Sequence, residues 1–200
     1  MNKKKTIAVA IVLALVLLIG GMLAFFTDTD TATNVFVLGD NIEISLSETD
    51  WDPADANGIH PGAVVDKNPV ITNDSTTTPA YVFAEVIVPC YSSNANTTID
   101  TPLFSLDTIG SGWNLMSTSS IDQTNKTITY VYNYGTASGM TSLAAEASTP
   151  AVFATVTLDD DLTAAQKATA SATTNIVVNA YGIQIDNLGV TAPSAIFDLF

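Results

Sequence analysis

The chain has no arginine, one cysteine and one histidine among its 200 residues. Each shortage closes off a class of function. With Cys90 alone, no disulfide can form within the chain, so stability must come from a packed core. That thiol follows Val86-Ile87-Val88-Pro89 and is expected at a strand end, as a half-buried and inert group. With His60 alone, beside Pro61 in a turn, the two-histidine zinc motif His-Glu-x-x-His cannot be written. A serine triad would have to take its base from His60 too, and no nucleophile elbow accompanies it. Glycine-rich phosphate loops are also missing. The chain is therefore expected not to be an enzyme, and no catalytic residue is assigned.

Basic charge is scarce as well. Six lysines face twenty Asp and Glu, for a formal net charge of −14. Lys3, Lys4 and Lys5 stand at the start, and only Lys67, Lys126 and Lys167 follow. Every acidic residue lies beyond Ala24, so loss of the first 24 residues takes the charge from −14 to −17. Such a surface repels nucleic acid and anionic lipid, and neither is expected as a partner.

The long apolar run is at the N-terminus. Three lysines precede Ile7 to Leu18, then come Gly20-Gly21-Met22-Leu23-Ala24-Phe25-Phe26, and the chain switches abruptly to Thr27-Asp28-Thr29-Asp30-Thr31-Ala32-Thr33. A basic start, an apolar helix and a small residue before a polarity switch form an export signal. The expected cut lies between Ala24 and Phe25, and Gly20-Gly21 loosens the helix just before it. Ile7 to Phe26 also reaches the ~20 residues that a membrane span needs, so a retained anchor stays open. Either way the bulk of the chain is expected outside the cytoplasm, with membrane contact only through the leader. Three segments result: a signal peptide at 1–24, a mobile N-terminal segment at 25–34 and a folded domain at 35–200.

That domain reads as strands between turns. Ile42 to Ser47 alternates apolar and polar. Pro69 to Thr72 is a short strand. Tyr81 to Val88 places Val82, Ala84, Val86 and Val88 on one face and the apolar set Tyr81, Phe83 and Ile87, with Glu85, on the other. Thr127 to Tyr134 groups Ile128, Tyr130, Tyr132 and Tyr134. Val152, Ala154, Val156 and Leu158 form another inward set, and Ile176 to Ile185 is the longest candidate. Turn chemistry at Asn57-Gly58, His60-Pro61-Gly62 and Ser138-Gly139 separates these strands. One helix is expected at Thr163 to Ala170, capped by Asp160 or Asp161. The ending Ile196-Phe197-Asp198-Leu199-Phe200 reads as a strand-like tail. The expected fold is all-β: an antiparallel β-sandwich of jelly-roll type with one or two short helices, preceded by the signal helix.

Several of these stretches resemble one family. The junction from Ala24 to Asn34 is similar to the processing region of TasA/camelysin-type proteins, whose signals are cut by a dedicated SipW-like peptidase. Val35-Phe36-Val37-Leu38-Gly39 leading into Ile42 to Leu46 is similar too. So are Pro61-Gly62 with Val65, Lys67, Pro69, Val70 and Asn73 leading into Ala80-Tyr81-Val82, and Val177 to Gln184. The resemblance implies a jelly-roll subunit of biofilm-matrix fibres that donates its mature N-terminal segment to a neighbour's sheet. Here the donor would be Phe25, Phe26, Thr27, Asp28, Thr29, Asp30, Thr31, Ala32 and Thr33. An extended segment without proline can complete the unpaired N–H and C=O groups of a sheet edge. Implied partners are further copies of the chain, the SipW-like peptidase and an accessory matrix subunit. A membrane-anchored adhesion or binding module is the alternative. A camelysin-like metallopeptidase is a third reading, opposed by the missing His-Glu-x-x-His.

Weaker sites remain. Asp159-Asp160-Asp161 is a candidate for calcium, as is the group Glu48, Asp50, Asp52 and Asp55 around Trp51, although neither has EF-hand spacing. Solvated loop acids explain both, and no cofactor is required. Trp51, Trp113 and the three tyrosines of 130–134 could form a carbohydrate platform, but core packing is the simpler reading.

Overall fold

The computed structural model describes residues 42–171 and 174–200, together with the backbone pairing of residues 29–30. In chain order the strands are β1 (Thr29–Asp30), β2 (Ile44–Glu48), β3 (Val64–Asp66), β4 (Pro69–Asn73), β5 (Ala80–Tyr91), β6 (Thr101–Pro102), β7 (Phe104–Ile109), β8 (Trp113–Thr118), β9 (Thr127–Thr136), β10 (Gly139–Met140), β11 (Phe153–Leu158) and β12 (Val177–Gln184). Two short helices follow β11 and β12, at Ala164–Lys167 and Pro193–Phe197.

The larger layer runs β1-β12-β5-β9, with β8 and β10 also paired to β9 and β6 paired to the end of β5. The second layer joins two smaller pieces, β2-β4 and β3-β11-β7. Backbone bonds from Asn73 to Ala147, from Thr149 to Ile71 and from Val152 to Pro69 carry the pairing of β4 onto the stretch that leads into β11. All the strand pairs are antiparallel. The result is the all-β antiparallel sandwich that the alternating sequence calls for.

Alternation explains the core. Val82, Ala84, Val86 and Val88 of β5 are wholly buried, as are Ile71 of β4 and Val152. They meet Ile44, Val156 and Leu158 of the second layer in one cluster. Tyr132 and Ile128 of β9 and Trp113 of β8 join it. Trp113 donates its indole N–H to the Pro150 carbonyl at 2.8 Å, so its polar handle is satisfied inside the protein. Asn73 is also wholly buried. Its amide nitrogen reaches the carbonyls of Thr78, Leu143 and Ala144, and its oxygen accepts from the Ser75 N–H.

Four local readings need correction. The longest strand is β5, at twelve residues, rather than the stretch from Ile176. Val156 and Leu158 point inward as expected, but Ala154 is exposed and Phe153 is wholly buried, so the inward set does not keep a single parity at the start of β11. The helix at Ala164–Lys167 is capped by Thr163, not by Asp160 or Asp161. Thr163 and Gln166 bond reciprocally in a capping box, which satisfies two end groups at once. Lastly, the tail is helical. Pro193 opens the helix with its fixed φ, and Ile196, Phe197, Leu199 and Phe200 have the three- and four-residue spacing that puts them on one side.

Candidate functional site

β12 is the strand on which the site is built. Its inner edge pairs with β5 along all eight residues, from Val177 opposite Ile87 to Gln184 opposite Ala80. Its outer edge meets β1, with Thr29 opposite Tyr181 and Asp30 opposite Ala180. Thr29 and Asp30 belong to the segment read from the sequence as a donor strand. The expected cleavage residues Ala24 and Phe25 lie outside the described residues, as do Phe26, Thr27, Asp28, Thr31, Ala32 and Thr33.

The two faces of β12 differ. On the inner face Val178 and Ala180 pack into the main core, and Gly182 lies against β2. A Cβ on Gly182 would sit 2.8 Å from Cγ2 of Ile44 and 3.4 Å from Cγ2 of Ile42. Glycine is thus what lets the second layer approach β12 so closely. On the outer face Tyr181 and Ile183 join Phe83 and Ile196 in a second cluster. Four rings meet there. Phe83 and Phe197 are 5.2 Å apart, Tyr181 lies 5.3 Å from both Phe197 and Phe200, and the Tyr181 contacts are edge-on. The C-terminal helix therefore covers an otherwise wet apolar sheet face next to the β12 edge.

A polar group continues this face. The Glu85 carboxylate accepts from the Asn179 amide at 2.8 Å and from the Tyr181 hydroxyl at 3.0 Å. Burial, then the charge and hydrogen bond of Glu85, push the Tyr181 hydroxyl well above the usual phenol range. Tyr181 is thereby held neutral, with its hydroxyl tied to β5 and its ring tied to the C-terminal helix.

The other sequence candidates disperse. Cys90 lies within β5, wholly buried rather than half-buried, and burial pushes its thiol up to about 11. His60 is exposed in a turn, where its carbonyl accepts from the Ala63 N–H. Asp159 accepts from the Tyr91 hydroxyl at 2.9 Å and from the Asp161 N–H at 3.0 Å, so its carboxylate organises the β11 exit. Glu48 pairs with the buried Lys67 at 2.6 Å, and the Lys67 ammonium stands 4.9 Å from the Trp51 ring centroid. Asp50 accepts from Asn68, and Asp52 accepts from the Ala54 N–H. Among the described residues, no three His, Cys, Asp or Glu side chains converge as a metal site. Trp113 and Tyr134 pack edge to face at 5.4 Å, and Tyr130 and Tyr132 belong to the main core, as packing residues.

Sequence reasoning missed Glu85, Asn179, Gly182 and the helix that carries Phe197. A signal existed for the helix. Phe83 and Tyr81 made the second face of β5 too apolar to stand in water, which calls for a cover. Pro193 with apolar residues at three- and four-residue spacing supplied one.

The family model described as Camelysin metallo-endopeptidase matches residues 1–96. No curated protein and no solved structure matches the chain. The matched stretch contains the apolar N-terminal run, β1, Pro61-Gly62, the Pro69–Asn73 strand and all of β5. Over these residues the chain is similar to the camelysin family, in the stretch that holds most of the motifs read from the sequence.

Proposed function

We propose that this chain is a secreted structural protein, a subunit of extracellular biofilm-matrix fibres that assemble by N-terminal donor-strand addition. The observation that carries the reading is the pairing of Thr29 and Asp30 with Tyr181 and Ala180. Thr29 and Asp30 belong to the segment that the sequence marks as the donor, and Tyr181 and Ala180 lie within the eight-residue strand β12. Two separate observations thus support the reading: the polarity switch in the sequence, and the pairing of Thr29 and Asp30 with β12. A strand supplied by a second copy would satisfy the same N–H and C=O groups as the chain's own segment.

The remaining parts follow from this reading. A SipW-like peptidase frees Phe25 on the outer side of the membrane, further copies supply the strands, and an accessory matrix subunit starts or anchors the fibre. A peptidase role has no support from the single histidine. The test is negative-stain microscopy of the leader-free chain after concentration or mild acidification, which lowers the repulsion arising from its acidic charge. Filaments are expected. A chain lacking Phe25–Thr33 should form none, and normal filaments from it would overturn donor-strand assembly. A leader retained on mature protein from cells would instead favour the anchored surface module.

A further inference from the structure

We infer that the crevice between the two layers, at the β7 margin, is a binding site for an amino sugar: a saccharide unit that offers hydroxyls, an apolar C–H face and an ammonium. This inference does not depend on the donor-strand reading. The sandwich is open at this margin. Among the described residues β7 is the last strand of its sheet and pairs with β11 alone. In the larger layer Leu115 lies opposite Tyr132, yet it is left 48% exposed. Between the layers lies a cavity of about 670 Å³, within the ~300–1,000 Å³ of small-molecule sites. The second layer lines it with Phe104 and Leu106 of β7 and Leu158 of β11. The larger layer lines it with Tyr130 and Tyr132 of β9.

Tyr132 carries the argument. Only 5% of the residue is exposed, and its hydroxyl has no hydrogen-bond partner among the described residues. Buried hydroxyls nearly always find one. Tyr91 and Tyr181 do, on Asp159 and Glu85. The Tyr132 hydroxyl is not sealed in, so its bonds are left for what fills the crevice. Burial pushes it up to about 12, so it stays neutral and can both donate and accept. The Tyr130 hydroxyl, two residues away on the same face of β9, is also without a partner among the described residues. Both rings pack in the core, but neither hydroxyl is used there. Charge supplies the third feature. Asp159 and Asp160 line the crevice, and no Lys or His does. Each Asp159 oxygen takes one bond, from Tyr91 or Asp161, and can accept another. The Asp160 carboxylate is exposed and has no partner among the described residues. Such a rim repels an anion and draws in an ammonium. An amino sugar answers all three features: its C–H face suits Phe104, Leu106 and the phenol rings, its hydroxyls suit Tyr130 and Tyr132, and its ammonium suits the aspartates. A lysine side chain would bring the charge without the hydroxyls.

The test is a calorimetric titration of the leader-free chain, which keeps every residue named above, with a glucosamine tetramer at slightly acidic pH. Cellotetraose and tetralysine are the comparisons: the first has hydroxyls without charge, the second charge without hydroxyls. The glucosamine tetramer should bind more tightly than either. Tyr132→Phe keeps the ring and the net charge. It should weaken glucosamine binding about tenfold and leave the tetralysine titration unchanged. Its melting temperature should be equal or higher, because a hydroxyl without a partner has been removed, and this separates lost binding from a lost fold. Asp160→Asn, at an exposed position with no folding role, should weaken glucosamine binding about fivefold and leave cellotetraose unaffected. No binding of the glucosamine tetramer would overturn the site. So would binding that Tyr132→Phe leaves intact, which marks mere attraction of a polycation to an acidic chain. Cellotetraose binding as tightly, with Asp160→Asn silent, would overturn the role of the ammonium.

Discussion

Replacing Gly182 by alanine places one methyl group where β12 meets the second layer. The new Cβ would lie 2.8 Å from Cγ2 and 3.2 Å from Cδ1 of Ile44. Ile44 is itself buried in β2, so those atoms cannot simply swing into solvent. Either β2 retreats or Ile44 leaves its rotamer, and overpacking of this kind costs about 1–3 kcal/mol. Removing a glycine from a strand returns about 0.5–1 kcal/mol. The net expectation is a loss of about 1–2 kcal/mol, or roughly 3–8 °C in melting temperature for a domain of this size. Ile44→Ala alone should cost about 2–5 kcal/mol through the hole it leaves. The two changes touch the same space, so the double variant should lose less than the two single losses combined, by about 1 kcal/mol or more. Urea titration of the four leader-free proteins measures this coupling. Strict additivity, or a Gly182→Ala variant as stable as the parent, would refute the close approach of β2 to β12.

Three further outcomes are expected. Asn73→Ala should cost about 2–4 kcal/mol, because it removes the amide that bonds the carbonyls of Thr78, Leu143 and Ala144 at once and leaves its space in the core unfilled. Asn73→Asp should cost more, since it turns an acceptor toward them; urea midpoints of the two variants decide the order. Stability should also fall in alkali. Cys90 rises from 9.0 to about 11 and Tyr132 from 10.0 to about 12, both through burial. The unfolded chain therefore loses these protons first, so the stabilisation is complete below about pH 9 and is lost progressively toward pH 12. Cys90→Ala should remove the part of that decline between 9 and 11, seen as a flatter urea midpoint against pH. Finally, chelator should leave the melting temperature unchanged, since the Asp159 carboxylate already accepts from Tyr91 and Asp161. A fall in melting temperature would restore the calcium site at Asp159–Asp161.

The sequence made the inward faces legible wherever a strand alternates over a long stretch. β5 is the clearest case, because Val82, Ala84, Val86 and Val88 leave no other arrangement. β12 and β9 were legible for the same reason. β7 and β8 were not, since Ser105, Asp107 and Asn114 to Ser117 mix polar and apolar residues at positions set by neighbours rather than by their own pattern. The tail failed differently. Ile196, Asp198 and Phe200 alternate as a strand does, yet Ile196, Phe197, Leu199 and Phe200 also satisfy helical spacing. The exposed apolar side of β5 and β12 decides between the two, and that is tertiary information. For the candidate site, the segment that holds Thr29 and Asp30 stood out by its polarity and its place after the apolar run. The strand that it pairs with did not, because register depends on which edge the fold leaves open.

The pairing of β1 on β12 within one chain has a consequence for the proposed fibre. Where Thr29 and Asp30 lie on Tyr181 and Ala180, that part of the β12 edge is already paired and offers less for another copy to stick to. Swapping one copy's segment for another's then keeps the number of satisfied backbone groups unchanged. Growth by that route would be governed by how fast a segment lets go and by how many copies compete for the vacated edge, rather than by any large gain per contact. In the proposed fibre, the same pairing that shields this part of the edge would act as the brake on growth.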